Sequence, residues 1–165
     1  MIRILRIAGL VAGATMVWLI AASQVPSHER FPLNGVVAGA VISQRFGCTG
    51  LELEPFDPFC PGRHVHTGVD LAAPMGSPVH TATAGTVHVG FDPNGAGHYV
   101  VVTVDAHVRA FYCHLSAVGV VSGEAVSAGQ VIGALGESGM ATGPHLHFEV
   151  QVDGSSIDPV TWLAS

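Results

Sequence analysis

Three short stretches of this chain set histidine beside a second chemically capable side chain. "RHVHTGVDL" carries His64, His66 and Asp70, "RAFYCHLS" carries Tyr112, Cys113 and His114, and "TGPHLHFEV" carries His145 and His147. Imidazole is both the commonest neutral metal ligand and the usual general acid or base near neutral pH. In extended chain successive side chains point to opposite faces. His145, His147, Glu149 and Gln151 therefore share one face, and Leu146, Phe148, Val150 and Val152 the other. The same alternation puts residues 66, 68 and 70 together, so that His66 and Asp70 can converge on one ion, and it sets Tyr112 and His114 opposite Phe111 and Cys113. An imidazole and a carboxylate from one strand, with an imidazole from a distant one, make a three-ligand zinc set whose fourth position stays open, as catalysis requires. His114 and one of the 145/147 pair then remain for proton transfer; spacing alone leaves open which one. A lone histidine in a strand is more often a solvated side chain, and His80, His88, His98 and His107 are read that way.

Such side chains need strands to carry them. Beyond residue 35 the chain is punctuated by glycine and proline at roughly the spacing of short strands, and the segments between are rich in Val and Thr, which is an all-β pattern. Expected strands are Val36 to Ile42, Pro78 to Ala82, Gly85 to Phe91, Tyr99 to Val104, Val108 to His114, Gln130 to Leu135 and His145 to Val152. Only "DPVTWL" reads as a turn of helix, with Asp158 as cap and Pro159 at the first helical position. Gly143 and Pro144 set the turn that presents His145. Phe46 reads as core, and Arg45 as either a surface residue or a substrate contact. The stretches "GSPVHTATAGTVHVG" and "GEAVSAGQVIGALG" share a plan of small residues, turn and Val-rich strand, a faint sign of internal duplication.

The 165 residues suffice for one domain with a proper core. There is no lysine, and two of the six arginines, Arg3 and Arg6, fall in the first 23 residues, so four arginines face all twelve carboxylates in the remainder. That balance excludes nucleic acid as a partner, because phosphate binding needs clustered cations, and it gives no attraction to anionic lipid. Residues 1–23 read as an export signal or membrane anchor. The uncharged run from Ile7 to Ala22 would rise about 24 Å as a helix, and Ala21, Ala22 and Ser23 offer a cleavage site. Residues 24–35 follow as a polar, proline-bearing linker, and 36–165 as the domain. Outside the cytoplasm Cys48 and Cys60 can close a short loop as a disulfide worth about 3 kcal/mol. Cys113 is then the odd thiol, read as a small buried hydrophobe. Neither an H-E-x-x-H pattern nor a nucleophilic serine motif is present.

The strings "HTGVDLAAPMGSPV", "AGTV", "FYCHLS" and "VSAGQVIGALGESGMATGPHLHFEV", in this order, resemble the lysostaphin-type, LytM-like zinc endopeptidases that cut peptidoglycan cross-bridges. The resemblance spans about Val36 to Leu163. It implies an all-β, barrel-sandwich hybrid of antiparallel strands and one Zn2+ per chain, held by His66, Asp70 and His147. It further implies that His145 and His114 are catalytic, with His145 as base and His114 as acid or oxyanion partner. The implied substrate is a peptidoglycan peptide, and the implied setting is a monomer exported to the bacterial cell envelope, with residues 7–22 available as a tether. Three features depart from a typical wall hydrolase of this kind: no separate wall-binding domain is evident, the chain is acidic, and "CTGLELEPFDPFC" inserts a loop that could shape the groove. A rival reading is a non-catalytic LytM-like binding protein or activator of other wall hydrolases, against which all five site positions are intact. Cytoplasmic phosphocarriers of glucose type also pair histidines, but the export signal and Asp70 speak against them.

Overall fold

The computed structural model describes residues 30–165. The expected export signal or anchor and the first part of the expected linker lie outside the described residues. In chain order the elements are α1 (Leu33–Val36), β1 (Val41–Gln44), β2 (Gly47–Thr49), β3 (His64–His66), β4 (Val69–Ala72), β5 (Pro78–His80), β6 (Gly85–Asp92), β7 (Gly97–Thr103), β8 (Val108–Leu115), β9 (Ala117–Val118), β10 (Ala125–Val126), β11 (Val131–Ala134), β12 (His145–Val152), β13 (Ser155–Ile157) and α2 (Pro159–Ala164). The architecture is the expected all-β, antiparallel one. A large sheet runs β1-β4-β12-β8-β7-β6-β10 with β13 added beside β12, a small sheet runs β5-β11-β9, and β2-β3 form a ribbon.

Alternation within the large sheet decides what is core and what is site. Leu146, Phe148 and Val150 of β12 are fully buried, as are Val69 of β4, Tyr112 of β8 and Val100 and Val102 of β7. The small sheet closes this layer with Val79 and Ile132, which belong to the same cluster. Burying side chains such as Phe148 and Leu146 is worth about 1.5–3 kcal/mol each, so this face fixes the strand register, and a slip by one residue would expose all of it. The opposite face of β4, β12, β8 and β7 is left to form the floor of a groove.

The two similar glycine- and valine-rich stretches pair with each other. Val131 and Ala134 lie opposite His80 and Pro78, while Ala125 and Val126 lie opposite Thr86 and Gly85. Each stretch thus lends one strand to the small sheet and one to the large sheet, the exchange a duplicated unit would make.

Two expectations change at the start of the domain. The strand expected over Val36 to Ile42 is instead a short helical turn, α1, followed by a turn at Gly39 (φ 74°), with β1 beginning at Val41. Val36 and Val37 are both fully buried; two consecutive inward side chains suit a turn, not an alternating strand. Phe46 is only half-buried and stands outside the core cluster. Packing also begins earlier than residue 36. Phe31 N–H donates to the Ala82 carbonyl at 2.7 Å, and the Arg30 guanidinium lies 4.3 Å over the Trp162 ring while donating to the Trp162 carbonyl. Trp162 sits on α2, which is capped as expected: the Asp158 carboxylate accepts the Val160 N–H at 3.0 Å, with Pro159 opening the helix. Among the described residues no helix is long and apolar enough to cross a membrane.

Candidate metal centre and histidine pair

His66 ends β3 and Asp70 lies in β4, and their side chains meet at 3.1 Å. A straight strand would hold their Cα atoms about 13 Å apart, too far for that contact. The chain bends at Gly68, and β3 and β4 belong to different sheets. Glycine is required at the bend. A Cβ there would lie 2.5 Å from the Phe148 carbonyl oxygen and 2.9 Å from the His147 ring. The expected convergence of His66 and Asp70 is therefore observed, through a bend instead of one extended face. His147 arrives from β12, opposite Asp70 in the ladder.

Three atoms converge: His66 Nε2, Asp70 Oδ1 and His147 Nδ1 lie 3.0–3.1 Å from one another. His66 Nδ1 is used on the Arg45 carbonyl at 3.0 Å, and His147 Nε2 faces Glu149 Oε2 at 3.6 Å. With those outer nitrogens as N–H donors, the inner atoms present three lone pairs to one point, an arrangement only a cation or proton relieves. Ligands about 2.0–2.1 Å from a tetrahedral zinc ion lie about 3.3 Å apart, so this triangle fits zinc with a slight expansion. These same three residues form the group of metal-capable side chains found among the described residues.

The surroundings favour positive charge at this point. Burial disfavours a charged His147, but contact with the Asp70 and Glu149 carboxylates outweighs burial and raises it to about 9. Burial likewise opposes charge on Asp70, yet its two histidine partners hold it well below the usual carboxylate range. Glu149, opposed by burial, is held at about 2 by His147, Gln151, Ser156 and Thr67. Thr67 Oγ1 donates to Glu149 at 2.9 Å and Ser156 Oγ at 2.7 Å, so the carboxylate that orients His147 is itself fixed. The alternation of β12 placed Glu149 on this face in the sequence, but gave no sign that it would be a partner to His147.

Beside the triangle stand two more imidazoles. The His145 ring lies 4.8 Å from that of His114, which in turn lies 6.2 Å from His147. His145 Nδ1 donates to the Gly143 carbonyl at 2.8 Å and its Nε2 sits 3.8 Å from Asp70 Oδ2. His114 Nδ1 donates to the Ser138 carbonyl at 2.9 Å. Each ring is thereby left with Nε2 for exchange of a proton. Burial lowers the pKa of His114, the Ser138 contact opposing it only in part.

Phe111 and Cys113 share a face as expected, but the expected grouping of Tyr112 with His114 is overturned. Tyr112 faces the core against Phe148, ring centroids 5.2 Å apart, and its hydroxyl accepts the Ala82 N–H at 2.7 Å. Phe111, Cys113 and His114 all line the groove. The alternation breaks at one residue: His114 has φ of 64°, which turns its side chain to the Cys113 side. The expected disulfide joins Cys48 and Cys60, and Cys113 is a buried free thiol. Burial first, then the negative Glu149 and Asp70, pushes that thiol up to about 12. His88, His98 and His107 are exposed as expected. His80 is half-buried, 6.0 Å from the Phe31 ring.

The site opens into a cavity of about 350 Å3 whose walls include Leu51 and Leu53 of the disulfide-tied loop and Met140. Asp70 and His145 are shared with a second hollow toward Ser43 and Pro144, and Phe111 and Cys113 with a third toward Arg109. The histidine cluster thus lies partway along a groove that continues on both sides.

Comparison with known proteins gives a consistent result. Residues 64–159 match peptidase family M23. The chain is 39% identical over 97 residues to the DD-carboxypeptidase/endopeptidase Mpg of Neisseria meningitidis, covering 59% of this chain and 22% of that protein. It is 42% identical over 93 residues to the peptidoglycan DD-endopeptidase ShyA of Vibrio cholerae, covering 56% and 22%. The catalytic domain of the antimicrobial peptidase lysostaphin from Staphylococcus simulans superposes with a TM-score of 0.63 at 31% identity, over 76% of this chain and 93% of that one. The chain therefore matches about a fifth of the length of these curated relatives. The matched span begins at His64, so the loop from Cys48 to Cys60 lies before it.

Proposed function

The chain belongs to peptidase family M23, and from that premise we propose that it is a zinc endopeptidase hydrolysing peptide bonds in peptidoglycan stem peptides or cross-bridges. The observation that carries the reading is the triangle of three lone-pair atoms with two further imidazoles beside it. His66, Asp70 and His147 would hold one zinc ion. Zinc there supplies Lewis acidity, polarising the scissile carbonyl and acidifying water.

The remaining work falls to this chain's own side chains. His145, tied at Nδ1 to Gly143, takes a proton at Nε2 from the attacking water. His114, tied at Nδ1 to Ser138, carries a proton at Nε2 toward the developing oxyanion or the leaving amine. A groove continuing past the cluster on both sides suits a bond within a longer chain, as in an endopeptidase. Export by residues 1–23, with tethering through 7–22 and action as a monomer in the cell envelope, belongs to the same proposal.

The test is digestion of purified peptidoglycan by the full chain with zinc, with chelator, and with the His114→Ala variant, reading released fragments by mass spectrometry. New peptide ends that vanish with chelator and with the variant are expected. A folded, zinc-loaded protein that releases nothing from several wall types would overturn the enzyme reading in favour of a LytM-like binding protein or activator.

A further inference from the structure

Past the histidine cluster the groove runs on over the sheet, and there it meets the one arginine that lines any of its three hollows. The third hollow, about 390 Å3, shares Ala96, Phe111 and Cys113 with the first and adds His88, Tyr99 and Arg109. The ladder between β8 and β12 fixes the geometry. Cys113 lies opposite His147, Phe111 opposite Glu149 and Arg109 opposite Gln151. From His147 to Gln151 is four residues of strand, about 13 Å, the length of about four residues of extended peptide lying in the groove.

Arg109 is held ready there. Its guanidinium lies 5.5 Å from the Phe111 ring centroid, and Nη2 donates to Gln151 Oε1 at 2.8 Å. The Gln151 amide is oriented in turn by donating to Glu149 Oε1 at 2.7 Å. The ion pairs formed between two described residues do not involve Arg109. Asp92, the acidic residue lining this hollow, makes no ion pair with it. An exposed, stacked guanidinium with free N–H groups is a fork shaped for a carboxylate. The chain has a formal net charge of −6, so its overall field does not draw acidic ligands, and a local anchor is needed to select one.

We propose that Arg109 is a specificity-determining residue that binds a free carboxylate of the substrate peptide, up to about four residues along the extended chain from the bond that is cut. The inference rests on the peptidase reading and adds the substrate class to it: acidic peptides, with the carboxylate on the Arg109 side of the cluster. Phe111 and Tyr99 form the floor against which the intervening residues pack.

The test uses the full, zinc-loaded chain and one probe in two forms: a cross-linked peptide dimer isolated from peptidoglycan, with its carboxylates free or converted to carboxamides. The free form is expected to have a KM about tenfold lower or better, the size of one charge-assisted contact. Arg109→Gln is expected to make the two forms equivalent through KM, with kcat and bound zinc as in the parent, and Arg109→Lys, which keeps the charge without the fork, to fall between. Equal KM values in the parent, or a preference that survives Arg109→Gln, would overturn the inference. Equilibrium binding of both forms, read by anisotropy of a labelled dimer, separates the two readings. If neither form is cleaved, the peptidase reading fails, while a binding preference lost in Arg109→Gln still supports the carboxylate anchor and equal or absent binding overturns it.

Discussion

His114 and His145 stand with ring centroids 4.8 Å apart, and each is tied at Nδ1 to a backbone carbonyl, Ser138 for one and Gly143 for the other. Neither carbonyl belongs to the three-atom triangle, so removal of the His114 ring leaves His66, Asp70 and His147 in place. His114→Ala is expected to keep about one zinc per chain by metal analysis and to lose about 10²–10⁴-fold in turnover, the usual worth of a positioned acid or base. His147→Ala removes one corner of the triangle and is expected to lose both metal and activity. Full activity in either variant would sink the role assigned to it.

The bend at Gly68 gives a sharper test of the same triangle. Gly68→Ala would place a methyl group 2.9 Å from His147 Nε2 and 2.5 Å from the Phe148 carbonyl, where backbone cannot give way. His147 would have to move away from Asp70. The expected result is weaker zinc binding, by tenfold or more in competition with a chelator, in a protein that retains its β-sheet circular dichroism. Unchanged zinc affinity would show that the bend tolerates a side chain and that the contact is slack.

How much of this was legible in the sequence follows from what sets each feature. The face of β12 carrying His145, His147 and Glu149 could be read directly, because alternation is imposed by the backbone and the buried partners Leu146, Phe148 and Val150 are all large and apolar. The meeting of His66 and Asp70 was readable as a pair but not as a bend, since the reason for Gly68 lies in the His147 ring and the Phe148 carbonyl, 79 and 80 positions along. The side on which His114 lies was not readable. Its positive φ is held by long-range contacts: its N–H donates to Ala96 O at 2.8 Å, and its ring to Ser138 O. Nothing within the local string "FYCHL" specifies them. The helical turn at Leu33–Val36 was hidden for a similar reason, because Val36 and Val37 are both claimed by a core assembled from distant strands.

Tyr112, read from sequence as a neighbour of the site, is expected to matter for stability instead. Its ring is fully buried, burial pushes its hydroxyl up to about 12, and that hydroxyl accepts the buried Ala82 N–H. Tyr112→Phe leaves that N–H without a partner, at a cost of about 1–3 kcal/mol. A fall in Tm with unchanged zinc content and unchanged kcat is expected. A loss of kcat at full stability would return Tyr112 to the catalytic groove.

The loop tied by Cys48 and Cys60 presents Leu51 and Leu53, about half exposed, to the cavity that holds the histidines. A link closing a loop of this length stabilises the fold by about 3 kcal/mol in the chain-entropy account, so reduction is expected to lower Tm by roughly 10 °C for a domain of this size. Thiol counting checks the pairing at the same time. The unreduced folded protein should show no reactive thiol, because Cys113 is buried and its thiol is pushed up to about 12; unfolding without reductant should expose one, and unfolding with reductant three. Zinc should stay bound on reduction, since His66, Asp70 and His147, the residues proposed to hold it, lie outside the loop. KM should rise with kcat little changed, because the loop contributes one wall of the groove and none of the five histidine and aspartate side chains at its centre. Two or more reactive thiols in the unreduced unfolded chain would reject the bridge, and an unchanged KM after reduction would show that Leu51 and Leu53 keep their places without it.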